Sequence, residues 1–124
     1  MKRVVITGIG MLSSLGVGVD EIWPKIKEGT SGVNFLKKVD ASDLKTKFGA
    51  EVSEDFNPEE FMDAKEARRS DPFIRFAVAA AALALKDSKL EITDDNSHLV
   101  GSYIGSGIGG IQTFVDNTLV YNDK

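Results

Sequence analysis

The chain has 124 residues, and its composition of 42% hydrophobic and 27% charged residues is typical of a soluble globular protein. Its formal net charge of −4 argues against a general nucleic-acid binder. It has no cysteine, which excludes disulfides, thiolate metal ligands and a cysteine nucleophile among these residues, and no apolar run approaches the roughly 18 residues of a membrane span.

The first predicted element is a strand over residues 3–7, whose β-branched residues suit burial on both faces of an α/β sheet. Because its apolar run is short, this start is not a signal peptide, and we expect a cytoplasmic protein. A long glycine-rich turn follows over residues 8–16. A short helix is then predicted over residues 20–27, with Asp20 as its N-cap, because Pro24 is tolerated only in a first turn.

Two further helices are predicted in the middle of the chain, each opened by a capping residue that is followed by a proline. Asn57 and Pro58 begin a short helix, and Asp71 and Pro72 begin a longer one that ends near residues 86–88. The alanine run of the longer helix lets a neighbouring backbone approach closely. We therefore expect a central and largely buried helix.

Three strands are predicted, a weak one over residues 47–52 and strong ones over residues 3–7 and 99–104. Strands that are buried on both faces need neighbouring strands and helices on both sides. The predicted fold class is therefore α/β, with this chain as the first part of a larger α/β domain. The alternative is a complete domain of 124 residues.

A glycine-rich segment lies between the last strand and a final predicted helix. Gly105, Gly107 and Gly110 fit the spacing G-x-G-x-x-G, which cradles a pyrophosphate in dinucleotide-binding proteins. That fingerprint normally lies in the first βα turn and is followed about 20 residues later by an acid, and neither condition is met here. We therefore favour a packing role, in which the glycines let a strand and a helix approach closely, over a nucleotide site.

Three basic residues form a candidate interaction patch. Lys65, Arg68 and Arg69 are spaced i, i+3 and i+4, so on a helix they share one face. This face is either solvated and neutralised by neighbouring acids, or it docks an acidic partner, since arginine forks bind carboxylates and phosphates in bidentate fashion. The sequence leaves both interpretations open.

No catalytic or metal-binding set can be assembled from these residues. His98, the single histidine, follows a polar loop and has no nucleophile or ligand partner at a useful spacing, so we expect an exposed loop residue. Ser13 and Ser14 follow a strand without a G-x-S-x-G elbow or a paired base, and we interpret them as turn residues.

Four segments in this order and spacing resemble the N-terminal part of bacterial β-ketoacyl-[acyl carrier protein] synthases, above all the type II enzymes. They are RVVITGIGMLSSLG, WPKIKEGTSGV, the segment from KFGAEV to KLEI, and VGSYIGSGIGG. The resemblance runs in register from residue 2 to about residue 121. It implies a thiolase-like fold, of which this chain is the first part of the N-terminal half, in a homodimeric enzyme.

The resemblance also implies a decarboxylative condensation that elongates fatty acids. An acyl group moves from acyl carrier protein to a cysteine, and two histidines favour the loss of CO₂ from malonyl-carrier protein. Because these catalytic residues are expected downstream, the chain alone is predicted to be inactive. No cofactor is implied beyond the phosphopantetheine of the carrier protein.

The resemblance assigns two roles to residues of this chain. Lys65, Arg68 and Arg69 match basic residues of the surface that docks the acidic acyl carrier protein. Ile108, inside the glycine-rich segment, matches a position that lines the acyl-chain pocket near the dimer interface. Two alternatives remain: a non-catalytic module that keeps only carrier-protein docking or dimerisation, and a nucleotide-binding α/β domain.

Overall fold

The computed structural model describes residues 2–122, which form four α-helices, two 3₁₀ helices and two antiparallel strand pairs. The paired strands are β1 (Leu12–Ser13) with β2 (Gly16–Val17), and β3 (Asn34–Phe35) with β4 (Phe48–Gly49). The helices are α1 (Val19–Lys27), α2 (Ala64–Arg69), α3 (Pro72–Ser88) and α4 (Ile111–Asn122), with 3₁₀ turns at Pro58–Glu60 and Ser97–Leu99. None of these helices is both long and apolar enough to cross a membrane.

Helix α3 lies at the centre, and the N-terminal segment crosses it backbone against backbone. A Cβ atom on Gly10 would stand 2.7 Å from the nitrogen of Ala84 and closer still to the carbonyl oxygen of Ala80. Gly8 meets the same helix one turn further on, at Ala84 and Ser88. The prediction that alanines allow a close backbone approach is therefore confirmed, because only glycines facing these alanines permit such contact.

Few side chains are fully buried among the described residues. The buried apolar ones are Ile22 of α1, Ala67 of α2 and Ala79 of α3. Helix α3 is central as predicted, but most of its residues are only half-buried, so the expected degree of burial is not reached. The accessible surface is 10265 Å², against about 6,500 Å² for a compact protein of 13.4 kDa.

The two strongest predicted strands are not paired within residues 2–122, and this part of the prediction is wrong for the described chain. Residues 3–7 and 99–104 join neither strand pair, and the second segment begins in a 3₁₀ turn. Val4 is 92% exposed, and Tyr103 is fully exposed. The reason is physical, since a strand persists only when a neighbour satisfies its backbone groups. The weak strand over residues 47–52 is confirmed in part as β4.

Helix α1 begins earlier than predicted. Its N-cap is Gly18, whose φ of 86° favours glycine, and not Asp20. Pro24 consequently lies inside the helix and not in its first turn. The early start is stabilised by Glu21, whose carboxylate accepts a hydrogen bond from the N–H of Val17 at 2.8 Å and so satisfies a donor just before the helix.

The two helix starts marked by proline are confirmed in position. Asn57 caps the first 3₁₀ helix, because its side-chain oxygen accepts a hydrogen bond from the N–H of Glu59 at 3.1 Å. Asp71 occupies the N-cap position of α3 but makes no capping bond to that helix. Its carboxylate instead accepts a hydrogen bond from the hydroxyl of Thr113 in α4, at 2.9 Å.

Replacing Gly10 by alanine should destabilise the full-length protein, because the added methyl group would overlap the backbone of α3. Overpacking of this kind costs about 1–3 kcal/mol or more, which lowers the melting temperature by several degrees. Gly101→Ala is the matched control, because a Cβ atom there meets nothing within 4 Å. Equal melting temperatures for the two variants would contradict the close crossing at Gly10.

Expressed alone, the 124-residue chain should self-associate, because its apolar strand segments and α4 are exposed. Light scattering coupled to size-exclusion chromatography should show aggregates. The fluorescence of a hydrophobic dye should rise when the chain is added, because the dye binds exposed apolar surface. A monodisperse monomer that melts cooperatively would contradict this expectation.

Candidate functional site

Helix α2 brings the three predicted basic residues together. Lys65, Arg68 and Arg69 are exposed, whereas Ala67, on the opposite side of the same turn, is only 3% exposed. The helical spacing therefore gives one basic surface, which we call the basic face of α2. Sequence reasoning predicted this surface correctly as a shared helix face.

Both ends of α2 are fixed by side chains. At its start, the carboxylate of Asp63 accepts a hydrogen bond from the N–H of Lys65 at 2.8 Å. At its end, the hydroxyl of Ser70 donates to the carbonyl of Glu66 at 2.7 Å. The carbonyl of Ser70 accepts two bonds from the guanidinium of Arg75, at 2.8 and 2.6 Å. The basic face thus stands on a short helix with little freedom to tilt.

The charges of the basic face are not neutralised by ion pairs within residues 2–122. The ion pairs among these residues are Lys25 with Glu21 at 2.7 Å and Lys37 with Glu54 at 3.2 Å, both remote in sequence from α2. The carboxylate of Asp63, one of the acids that could have neutralised the face, is bonded to the helix start instead. The three charges of the basic face are therefore without an ion-pair partner among the described residues.

An apolar groove runs beside the basic face. Its apolar lining residues are Phe61, Met62, Ile74 and Val78, and its polar ones are Glu66, Arg69 and Ser70. The lining therefore carries one carboxylate and one guanidinium and is not uniformly cationic.

The glycines of the segment 105–110 do not all behave alike. A Cβ atom on Gly105 or Gly107 would meet nothing within 4 Å, whereas one on Gly110 would collide with the carboxylate of Asp71. The contact of Gly110 is with the end of a side chain and not with a backbone, so the predicted close approach of a strand and a helix is not found at these three glycines within the described residues. Ile108 is 79% exposed, and its contact with an acyl chain stays a prediction.

A carboxylate already occupies the start of α4, where the dinucleotide interpretation would place a phosphate. Asp71 accepts the hydroxyl hydrogen bond of Thr113 there, and its second oxygen lies against Gly110. A phosphate at this helix start would meet a like charge at short range. This geometry disfavours a nucleotide site at the glycine-rich segment.

No catalytic constellation is formed by the described residues. His98 is exposed in the second 3₁₀ turn, as predicted. The hydroxyl of Ser13 accepts a hydrogen bond from the N–H of Leu15 at 3.0 Å, which confirms its role in a turn. No group of three or more metal-ligating side chains in residues 2–122 is placed to hold a metal ion.

Among residues 2–122, three carboxyl groups have a pKa below the ordinary value, and all three are surface groups that accept hydrogen bonds. The main cause is Lys25 for the pKa of Glu21, the Ser42 N–H for Asp40, and the Lys37 N–H for Glu51. Bonds of this kind stabilise the charged carboxylate. These shifts belong to loops and helix starts and mark no acid–base pair.

Sequence reasoning missed two side chains that hold this region together. Arg75 bonds the carbonyl of Ser70, the C-cap of α2, and the separation of only five residues makes this pair one that the sequence could have indicated. Asp71 reaches Thr113 over 42 positions, and no local pattern could have indicated that pair.

Comparison with known proteins places the whole chain in one family. Residues 1–124 match the profile described as beta-ketoacyl synthase, N-terminal domain. A 3-oxoacyl-[acyl-carrier-protein] synthase 2 of Synechocystis is 41% identical over 123 residues, which are 99% of this chain and 29% of that protein. The protein of the same name from Vibrio harveyi is 46% identical over 110 residues, 89% of this chain and 26% of that one.

A solved structure agrees with the sequence comparison. The ishigamide ketosynthase/chain length factor superposes with a TM-score of 0.76 at 28% identity, over 98% of this chain and 30% of that chain. The likeness confirms the predicted thiolase-like α/β fold, and the chain spans less than a third of the curated relatives cited above. With a family profile matched from its first residue to its last, the chain belongs to the β-ketoacyl synthases, within their N-terminal domain.

Proposed function

We propose that this chain is the N-terminal part of a 3-oxoacyl-[acyl-carrier-protein] synthase that elongates fatty acids. The observation that carries the proposal is the in-register match, at 41–46% identity, to relatives with that name. In the proposed reaction, loss of CO₂ from a malonyl thioester leaves a carbanion that attacks an acyl thioester. A C–C bond forms to the acyl carbonyl carbon as its C–S bond breaks, so the thiolate of the acyl thioester leaves and the product is a 3-oxoacyl chain two carbons longer.

The chemical step would be performed by residues outside this chain. The residue that would be acylated is a cysteine, and the sequence contains none. Its single histidine is exposed in a turn. A cysteine and two histidines supplied downstream would complete the machinery, and the chain alone would be inactive. The 124 residues would contribute partner docking and part of the acyl pocket.

The proposed partner of the basic face is acyl carrier protein, an acidic protein that delivers the substrate on its phosphopantetheine. The support is the cluster of three exposed cations without ion pairs in the described chain, beside an apolar groove. Opposite charges steer a transient partner towards a productive orientation and speed its association. No other cofactor is proposed.

The uncovered apolar surface supports assembly into a larger, homodimeric enzyme, for which we propose a cytoplasmic location. Val4, Ile6, Tyr103 and Phe114 are all more than 65% exposed, on segments that would otherwise face water. Burial against further strands and a second subunit would remove this surface from water. Ile108 lies between two of these segments, where the proposed acyl pocket meets the dimer interface.

A non-catalytic docking or dimerisation module is the second candidate. It is favoured by the same basic face and by the absence of a cysteine from the 124 residues. Condensation activity in the full-length protein separates the two, because a docking module binds carrier protein without releasing CO₂.

Reversing two charges of the basic face should weaken binding of acyl carrier protein. We expect Arg68→Glu with Arg69→Glu in the full-length protein to reduce the affinity about tenfold or more at low salt, and less at high salt, because ions screen exposed charges. Surface plasmon resonance at two ionic strengths measures both effects.

The matched control reverses two lysines of the β3–β4 loop. Lys45→Glu with Lys47→Glu changes the net charge by the same amount on exposed residues away from α2. The control should retain near-normal affinity. An equal loss in both variants would show that net charge matters and that the basic face does not dock the partner.

Enlarging Ile108 should shorten the acyl chains that the full-length protein accepts. A phenylalanine at this position would fill the proposed pocket, so kcat/KM should fall about tenfold or more for long acyl chains and much less for short ones. Condensation assays with acyl-carrier proteins of graded length measure this profile. A uniform loss would contradict the pocket assignment, and no CO₂ release by the unmodified protein would contradict the proposed function.

A further inference from the structure

We propose that Asp71 is a positioning residue that fixes the glycine-rich segment 105–110, and with it Ile108, relative to the basic face of α2. The positioning acts through Thr113 and Gly110. The consequence for acyl-chain selection rests on the function proposed above, whereas the positioning itself does not.

Asp71 lies where three elements meet. In sequence it follows Ser70, the C-cap of α2, and it occupies the N-cap position of α3. Its carboxylate is turned away from both, because one oxygen accepts the hydroxyl bond of Thr113 at 2.9 Å and the other lies against Gly110. An N-cap aspartate ordinarily accepts a hydrogen bond from an N–H of its own helix. The carboxylate of Asp71 makes no such bond and contacts α4 instead.

The start of α4 is built to receive this carboxylate. Gly110 has no side chain to block it, and a Cβ atom there would overlap it. A negative charge at the first turn of a twelve-residue helix is also stabilised by the helix dipole. Charge-assisted hydrogen bonds are roughly twice as strong as neutral ones, so the bond between Asp71 and Thr113 is strong for a single side-chain contact.

The anchor is continuous with α2. The guanidinium of Arg75 holds the carbonyl of Ser70 through two hydrogen bonds, which fixes the residue between α2 and Asp71. The N–H groups of Ile74 and Arg75 both donate to the carbonyl of Asp71, at 3.1 and 3.3 Å. One short, bonded junction therefore joins the basic face to the segment that carries Ile108.

Few other contacts hold that segment in the described chain. Cβ atoms on Gly105 and Gly107 would meet nothing within 4 Å, and Ile108 is 79% exposed. Within the segment, the N–H of Gly109 donates to the hydroxyl of Ser106 at 3.1 Å, which shapes the turn but does not attach it to another element. The contacts of the turn with the start of α3 lie at its C-terminal end, where Gly110 meets Asp71 and a Cβ atom on Gly109 would lie 4.0 Å from the ring of Phe73.

Hydrogen exchange in the full-length protein tests the positioning. Thr113→Val removes the hydroxyl donor with little change of shape, and we expect amides of residues 105–113 to exchange about 3- to 10-fold faster. Thr113→Ser keeps the donor and should stay near the unmodified rate. Asp71→Ala removes the acceptor and should reproduce the effect of the valine variant.

Thr118→Val is the matched control. Thr118 lies on the same helix, and its hydroxyl bonds only the carbonyl of Phe114 one turn earlier. Its replacement should leave exchange in residues 105–113 unchanged. Equal exchange rates in the Thr113→Val and unmodified proteins would overturn the proposal, whether or not the protein is a synthase.

A double-mutant cycle tests the consequence for Ile108. If Asp71 and Thr113 hold Ile108 in place, the discrimination that Ile108→Phe imposes between long and short acyl chains should shrink at least threefold in the Thr113→Val background. Unchanged discrimination together with faster exchange would overturn the link to Ile108. Failure of Ile108→Phe to discriminate in the unmodified background counts against the proposed pocket, and the exchange experiment still decides the positioning.

Discussion

The main-chain contact between the N-terminal segment and helix α3 is the constraint on which the other elements depend. Because Gly8 and Gly10 lack side chains, the segment passes directly over the alanines of α3, and the β1–β2 pair follows at once. That pair leads into α1, whose Ile22 is among the few fully buried side chains. The carbonyl of Ser13 in β1 also accepts a hydrogen bond from the N–H of Ser53 at 3.1 Å, which ties in the segment before α2.

Features with a local cause could be predicted from the sequence, and those with a distant cause could not. The proline-opened helix starts and the helix face of Lys65, Arg68 and Arg69 depend on neighbours within one or two turns, and they are confirmed. Strand pairing over residues 3–7 and 99–104 depends on partners elsewhere, so an apolar β-branched run predicts the capacity to pair and not the pairing itself. The early start of α1 is an exception to this rule, because the carboxylate of Glu21 reaches back only four residues to Val17, and the sequence still predicted a later start.

Glycines before a helix can make room for different groups, and the glycine-rich segment 105–110 is an example. In a dinucleotide site, glycines before a helix leave room for a phosphate at the positive helix end. Here Gly110 leaves the same kind of room, but a carboxylate of the protein itself fills it. Of the three glycines only Gly110 makes this room, so the spacing G-x-G-x-x-G does not by itself identify a nucleotide site, and the tertiary structure decides what fills the space.

Helix α2, which carries the basic face, is stabilised mainly by residues outside that face, although Arg68 also donates a hydrogen bond to the carbonyl of Ala64 at 3.1 Å. A six-residue helix is too short to persist alone, so its stability must come from its ends and its buried side. Asp63 caps the start, Ser70 closes the end, and Ala67 supplies the buried contact. The three cationic groups make no ion pair within residues 2–122. The chain that carries them has a net charge of −4. On the function proposed above, an acidic partner would be repelled by the average surface and attracted at the basic face, which is the condition for oriented and reversible docking.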